Sequence, residues 1–240
     1  MKEKVIGILG GMGPEATVDL FRRIIRATPA EKDQDHIRVI VDSNPKIPDR
    51  TAAIMGVGPS PLLEVTKTAK NLEKAGADLI IIPCNTAHYY YEELKRSVGI
   101  SILNMVELTA QTIKKAFPNV KKVGLIGTTG TVIVGIYDQA LERTGVKVIY
   151  PPEELQDKVM EAIYGNIKAG RILKGKKIIG NVAAHLIQEG AEILICGCTE
   201  VSLVLKSKNI PVPVVDPLQI LAKTAVAEAL KNSDRFVTKV

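Results

Sequence analysis

The sequence predicts an α/β protein of two similar domains with mainly parallel sheets, related by a pseudo-two-fold axis. Three observations lead there. Short β-branched runs alternate with amphipathic helical stretches from end to end. The runs are continuous rather than alternating in polarity, as in strands covered on both faces. Two motif pairs also recur at nearly one offset. Gly7 of VIGILGG aligns with Gly124 of VGLIGTT (124 − 7 = 117), and Cys84 of IIIPCNTA with Cys198 of LICGCTEV (198 − 84 = 114).

In chain order, strands are expected at VIGILG (5–10), IRVIVD (37–42), LIII (79–82) and SILNM (101–105). The second half supplies KVGLIG (122–127), VKVIY (146–150), EILICG (192–197) and VPVVD (212–216). Apolar residues at helical spacing place helices over Ala16–Thr28, Pro61–Ala75, Ala87–Arg96, Val132–Thr144 and Ile178–Glu189, with another over Pro217–Lys231. In parallel α/β sheets, ligands sit beyond the carboxyl ends of the strands. The residues that follow each strand are therefore the ones to inspect.

Composition narrows the function classes. At 240 residues, 46% hydrophobic and 24% charged, the chain is neither disordered, collagen-like nor a coiled coil. The net charge of +6 is spread without a basic run, Trp is absent and Phe numbers 3, so nucleic acid is not an expected partner. No apolar run approaches the roughly 18 residues of a membrane span, so no membrane partner is expected. The start, MKEKVIGILGG, does not have the form of a signal peptide. A cytoplasmic protein is expected, with its three cysteines reduced.

Those cysteines carry the chemistry. Cys84 lies between a strand and a helix starting near Asn85-Thr86, and Cys198 lies at the equivalent step with Thr199 as the cap. A helix N-terminus stabilises a thiolate, which brings a thiol of ordinary pKa about 8.5 toward working pH. Small buried cysteines often merely fill space, but two at equivalent turns are harder to dismiss. Cys196 sits deeper in its strand and reads as core. A metal centre is not expected, because Cys196-Gly197-Cys198 is not a structural-zinc spacing.

The segments GILGGMGPEAT (7–17), NPKIPDRT (44–51), PCNTAH (83–88), AGRIL (169–173) and GCTEVS (197–202) closely resemble the cofactor-independent aspartate/glutamate racemases. The resemblance runs from the first strand to near Asp216-Pro217. It implies a site in the cleft between the domains and no cofactor. Cys84 and Cys198 would form a two-base pair, one thiolate removing the α-proton and the opposite thiol protonating the other face. The implied substrate is an acidic amino acid, aspartate before glutamate, and the implied assembly a homodimer. By the same resemblance Arg50 holds the distal carboxylate and Lys168 assists. Domains of 1–104 plus 217–240 and of 105–216 are expected, with the C-terminal helix returning to the first.

A carbanion beside a carboxylate needs donors where its charge spreads. Backbone amides and hydroxyls at Asn85, Thr86 and Thr199, together with Thr128 and Thr131 in the second glycine turn, stand where such donors are wanted. Plain capping is the competing role for each threonine. Amides near Met12, in the first glycine turn, are expected to face a carboxylate. Asp49 could orient Arg50 or a thiol, and His88 could relay a proton or serve structure.

Two rival readings remain. Gly11-Met12-Gly13-Pro14-Glu15-Ala16 fits a dinucleotide GxGxxA turn, but Asp42 lies 26 residues past Ala16, against about 20 for a ribose-binding acid. A non-catalytic amino-acid-binding protein would share the cations and have no need of two cysteines.

Overall fold

The computed structural model describes residues 3–231. In the first half, β1 (Ile6–Gly10) leads into α1 (Pro14–Ala27), and β2 (Val39–Ser43) into α2 (Arg50–Ile54) and α3 (Leu62–Lys74). Next, β3 (Leu79–Ile81) runs through a 3-10 turn (Thr86–Tyr90) into α4 (Tyr91–Ser97), and β4 (Ser101–Ile102) into α5 (Met105–Ala116). The second half opens with β5 (Lys122–Gly127), α6 (Thr129–Val134), α7 (Ile136–Glu142), β6 (Lys147–Ile149) and α8 (Glu153–Met160). A π-helical segment (Glu161–Ile167), α9 (Ile172–Gln188), β7 (Ile193–Gly197), α10 (Thr199–Val204), β8 (Val214–Val215) and α11 (Pro217–Leu230) complete it.

Two four-stranded sheets result, ordered β2-β1-β3-β4 and β6-β5-β7-β8, with every pairing parallel. Strand for strand the orders are the same. β1, β3, β5 and β7 are buried along almost their whole length, which is why their sequences read as unbroken apolar runs.

The internal repeat extends into the packing. A Cβ on Gly7 would sit 2.9 Å from Ala77 Cβ and 3.4 Å from Leu72 Cβ. One on Gly124 would sit 3.1 Å from Ala191 Cβ and 3.2 Å from Leu186 Cβ. Ala77 and Ala191, like Leu72 and Leu186, are 114 apart (191 − 77, 186 − 72), the offset of the two cysteines. Each glycine lets a helix-to-strand corner close against the first strand of its sheet.

Contacts group the described chain into two compact units. One takes in everything to Asp49, then Gly58–Met105, then everything from Leu218 on; the other takes in Arg50–Val57 and Val106–Pro217. The stretch 50–57 groups with the second unit because α2 packs on α6. The C-terminal α11 closes the first unit, burying Leu218, Leu221, Ala222, Ala225 and Ala229. The Lys4 backbone N–H donates to the Ala229 carbonyl at 3.1 Å.

Several elements depart from expectation for physical reasons. The helix expected over Val132–Thr144 breaks at Gly135, whose φ of 59° ends α6 and starts α7. The strand expected to reach Met105 stops at Ile102, and Met105 begins α5. The helix expected from Ala87 starts as the 3-10 turn, and α9 begins six residues before Ile178, at Ile172. Among the described residues no helix is long and apolar enough to cross a membrane.

Candidate active site

In the first unit, β1 and β3 are neighbours and end beside one another. The turn after β1 is shaped by Gly11, whose φ of 92° and approach to Asn44 leave no room for a Cβ, since one would lie 2.3 Å from the Asn44 carbonyl carbon. Thr17 closes that turn. Its Oγ1 accepts the Gly11 N–H at 2.9 Å and donates to the Gly13 carbonyl at 3.0 Å. Met12 is buried in the same apolar cluster as Ile47 and Cys84.

Cys84 follows β3, and its backbone N–H donates to the Ile82 carbonyl at 2.9 Å. Its side chain is 6% exposed, and Asn85 and Thr86 beside it are buried. Neither of those two makes a capping bond from its side chain to the turn they open. His88 proves to be a brace for this turn. The Met105 N–H donates to its Nε2 at 3.1 Å, which assigns the proton to Nδ1, and Nδ1–H donates to the Cys84 carbonyl at 2.8 Å. Burial holds the His88 pKa below its ordinary 6.5, so the ring is neutral. With both nitrogens committed to backbone, His88 is structural and not a relay.

The second unit repeats the plan. Thr128 caps α6, its Oγ1 accepting the Thr131 N–H at 3.4 Å and lying 3.2 Å from Thr131 Oγ1. Gln156, a residue absent from the sequence expectations, donates from Nε2 to the Gly127 carbonyl at 3.1 Å and to Thr129 Oγ1 at 3.2 Å. It thereby holds the turn beyond β5. Arg50 does not lie in an extended loop; it is the first residue of α2, is buried, and belongs to the second unit with Thr128 and Thr131.

Cys198 departs from expectation in two respects. It is itself the residue that precedes α10, with extended backbone, while Thr199 is already helical and caps nothing. Its thiol is also pushed well above the ordinary range rather than lowered. Burial is the largest cause and the Glu200 carboxylate the next, while Lys168 acts more weakly in the other direction. The six-residue α10 offers little dipole against a desolvated sulfur facing a carboxylate.

Glu200 is the partner that sequence reasoning missed, although it stands in the GCTE motif. It is 5% exposed. Cys198 Sγ donates to its Oε2 at 2.9 Å and Thr199 Oγ1 donates to the same oxygen at 3.1 Å. Its Oε1 lies 4.0 Å from Lys168 Nζ, and that ammonium sits 4.3 Å from the Tyr164 ring centroid. Lys168 reaches this position because it ends the π-helical segment, its N–H bonding the Ile163 carbonyl five residues back at 3.0 Å. Arg171 anchors the same turn through Asn166 and the Gly165 carbonyl.

Cys196 is fully buried in β7, and the three cysteines are free thiols. Among the described residues no group of three or more His, Cys, Asp or Glu is arranged to hold a metal ion.

Residues 9–225 match the family model described as Asp/Glu/Hydantoin racemase. The chain belongs to that racemase family. It is therefore an isomerase, an amino-acid racemase. It is 34% identical to the Picrophilus torridus aspartate racemase structure, covering 94% of each chain with a TM-score of 0.85. It is 30% identical to the broad-specificity amino-acid racemase RacX of Bacillus subtilis, over 94% of this chain and 98% of that one. The Francisella tularensis glutamate racemase solved with D-glutamate shares the fold at a TM-score of 0.71 and 18% identity, over 97% of this chain and 83% of that one. Two four-stranded parallel sheets with flanking helices are the two-domain α/β fold of this racemase family.

Proposed function

We propose that this racemase interconverts the enantiomers of aspartate without pyridoxal phosphate, Cys84 and Cys198 acting on opposite faces of the substrate's α-carbon. One observation carries this reading. Each of two topologically matched sheets ends its third strand in sequence in a buried cysteine, Cys84 after β3 and Cys198 after β7. Racemisation needs a base and an acid that exchange roles between directions, and two like groups supply that symmetry.

In the L-to-D direction a thiolate takes the α-proton, its electron pair remaining on carbon. The opposing thiol then gives its proton to the other face of the carbanion. Donors around the cysteine turns, including the backbone amides at Asn85, Thr86 and Thr199, meet the α-carboxylate onto which the charge spreads. Thr128, Thr131 and the amides near Met12 complete that polar lining. Arg50 binds the distal carboxylate, helped by Lys168; a guanidinium fork suits that group.

The identity to an aspartate racemase supports aspartate over other acids, and the match to RacX favours a broader substrate range as the second reading. Purified, PLP-free protein incubated in D2O with each enantiomer of aspartate, glutamate and alanine tests both. Chiral chromatography with α-deuterium incorporation on aspartate alone supports the first reading, and equal turnover of alanine supports the second. No incorporation on any of them defeats both.

A further inference from the structure

Two opposed thiols do not by themselves call for a buried carboxylate against one of them, yet Glu200 is bonded to Cys198 Sγ at 2.9 Å. We propose that Glu200 is the proton acceptor of Cys198, so that sulfur and carboxylate hold one proton between them. This rests on the reading of Cys198 as one member of the acid–base pair.

The surroundings distinguish this from ordinary helix capping. A capping carboxylate turns its oxygens to backbone N–H groups. Here Oε2 accepts from the Cys198 thiol and the Thr199 hydroxyl, and Oε1 faces Lys168 at 4.0 Å. The Glu200 backbone N–H is directed at the sulfur and supports the thiolate once it forms. The charged groups acting on Cys198 are Glu200, from α10, and Lys168, from the turn after the π-helical segment. Lys168 in turn rests on the Tyr164 ring.

The step balances within this cluster. The Cys198 S–H bond breaks with its electron pair left on sulfur, and the proton forms an O–H bond at Glu200 Oε2. Negative charge moves from carboxylate to sulfur while the cluster's total charge is unchanged. The thiolate then takes the substrate's α-proton and becomes a thiol again. In the opposite direction the thiol protonates the carbanion, and the proton held on Glu200 returns to sulfur. Cys198 can thus start a turnover as acid or as base without first exchanging a proton with bulk water, from which it is largely buried.

Iodoacetamide alkylation across pH 6–10, with each cysteine peptide resolved by mass spectrometry, tests this on the whole protein. Glu200→Gln keeps the shape but accepts a proton poorly, and Cys198 alkylation at pH 7.5 should rise about tenfold as the facing negative charge is lost. Lys168→Gln should slow the same reaction, and it serves as the second variant should Glu200→Gln fold poorly. Cys84 in the same sample reports the integrity of the fold. Racemisation by Glu200→Gln should fall about 10²-fold in kcat with KM held, and Glu200→Asp should restore part of it.

An unchanged Cys198 profile in a folded Glu200→Gln protein overturns the proposal. So does faster alkylation with undiminished kcat, which would leave Glu200 as a source of charge alone. If the unaltered protein racemises no amino acid, the function proposed above fails, and the alkylation profile still decides whether the two groups share a proton.

Discussion

The Met105 backbone N–H donates to His88 Nε2 at 3.1 Å, tying the start of α5 to the turn that carries Cys84. The bond requires a neutral ring, and burial keeps the folded pKa of His88 below 6.5. Above pH 6.5 folded and unfolded chains both hold the ring neutral, and its contribution to stability is complete. As pH falls through 6.5 toward the lower folded value, the unfolded chain takes up the proton first and that contribution is lost. The urea midpoint of the protein should therefore fall more between pH 7.5 and 5 than that of His88→Gln. Equal falls would show that His88 is not the titrating brace.

Cys84→Ala and Cys198→Ala should each abolish racemisation. Each should keep solvent deuterium exchange at the α-carbon of one enantiomer only, the two variants favouring opposite enantiomers. NMR of substrate recovered from D2O reads both quantities. Full interconversion by either single variant would remove the two-base scheme.

Arg50→Ala should raise KM for aspartate by about 10- to 100-fold, from loss of a charged hydrogen bond worth about 1.5–3 kcal/mol. Turnover of alanine, which lacks the distal carboxylate, should be spared. Steady-state kinetics on the two substrates separates this from a general loss of the site, which would affect them alike.

Gly7→Ala and Gly124→Ala should each destabilise the fold by about 1–3 kcal/mol, because the new methyl meets Ala77 or Leu194 at under 3.0 Å. Gly180→Ala, on α9, meets nothing within 4 Å and should be neutral or slightly stabilising. Urea unfolding of the three variants checks the contrast.

The strands were legible because parallel sheets demand continuous apolar runs, and the eight predicted runs each contain an observed strand. Helix ends were less legible. Gly135 breaks one expected helix in two through its left-handed backbone, and the sequence around it does not separate a break from a tolerated interior glycine. The helix α2 is five residues long, too short to display a period, so Arg50 read as a loop residue. At Cys198 the strand-to-helix step was legible, but the sign of the pKa shift was not. It depends on Glu200 folding back onto the sulfur and on Lys168 being carried there by a π turn, and hydrophobic period reports neither.

The return of α11 to the first unit has a consequence for biosynthesis. Leu218, Leu221 and Ala225 are among the last residues to leave the ribosome, and they fill the core of the half that emerges first. The earlier-made half must wait, its sheet uncovered where that helix will lie, while Val106–Pro217 together with the short 50–57 stretch is already out in full. Folding order here runs against translation order, and the nascent chain's exposed apolar sheet is the natural target for a chaperone during that interval.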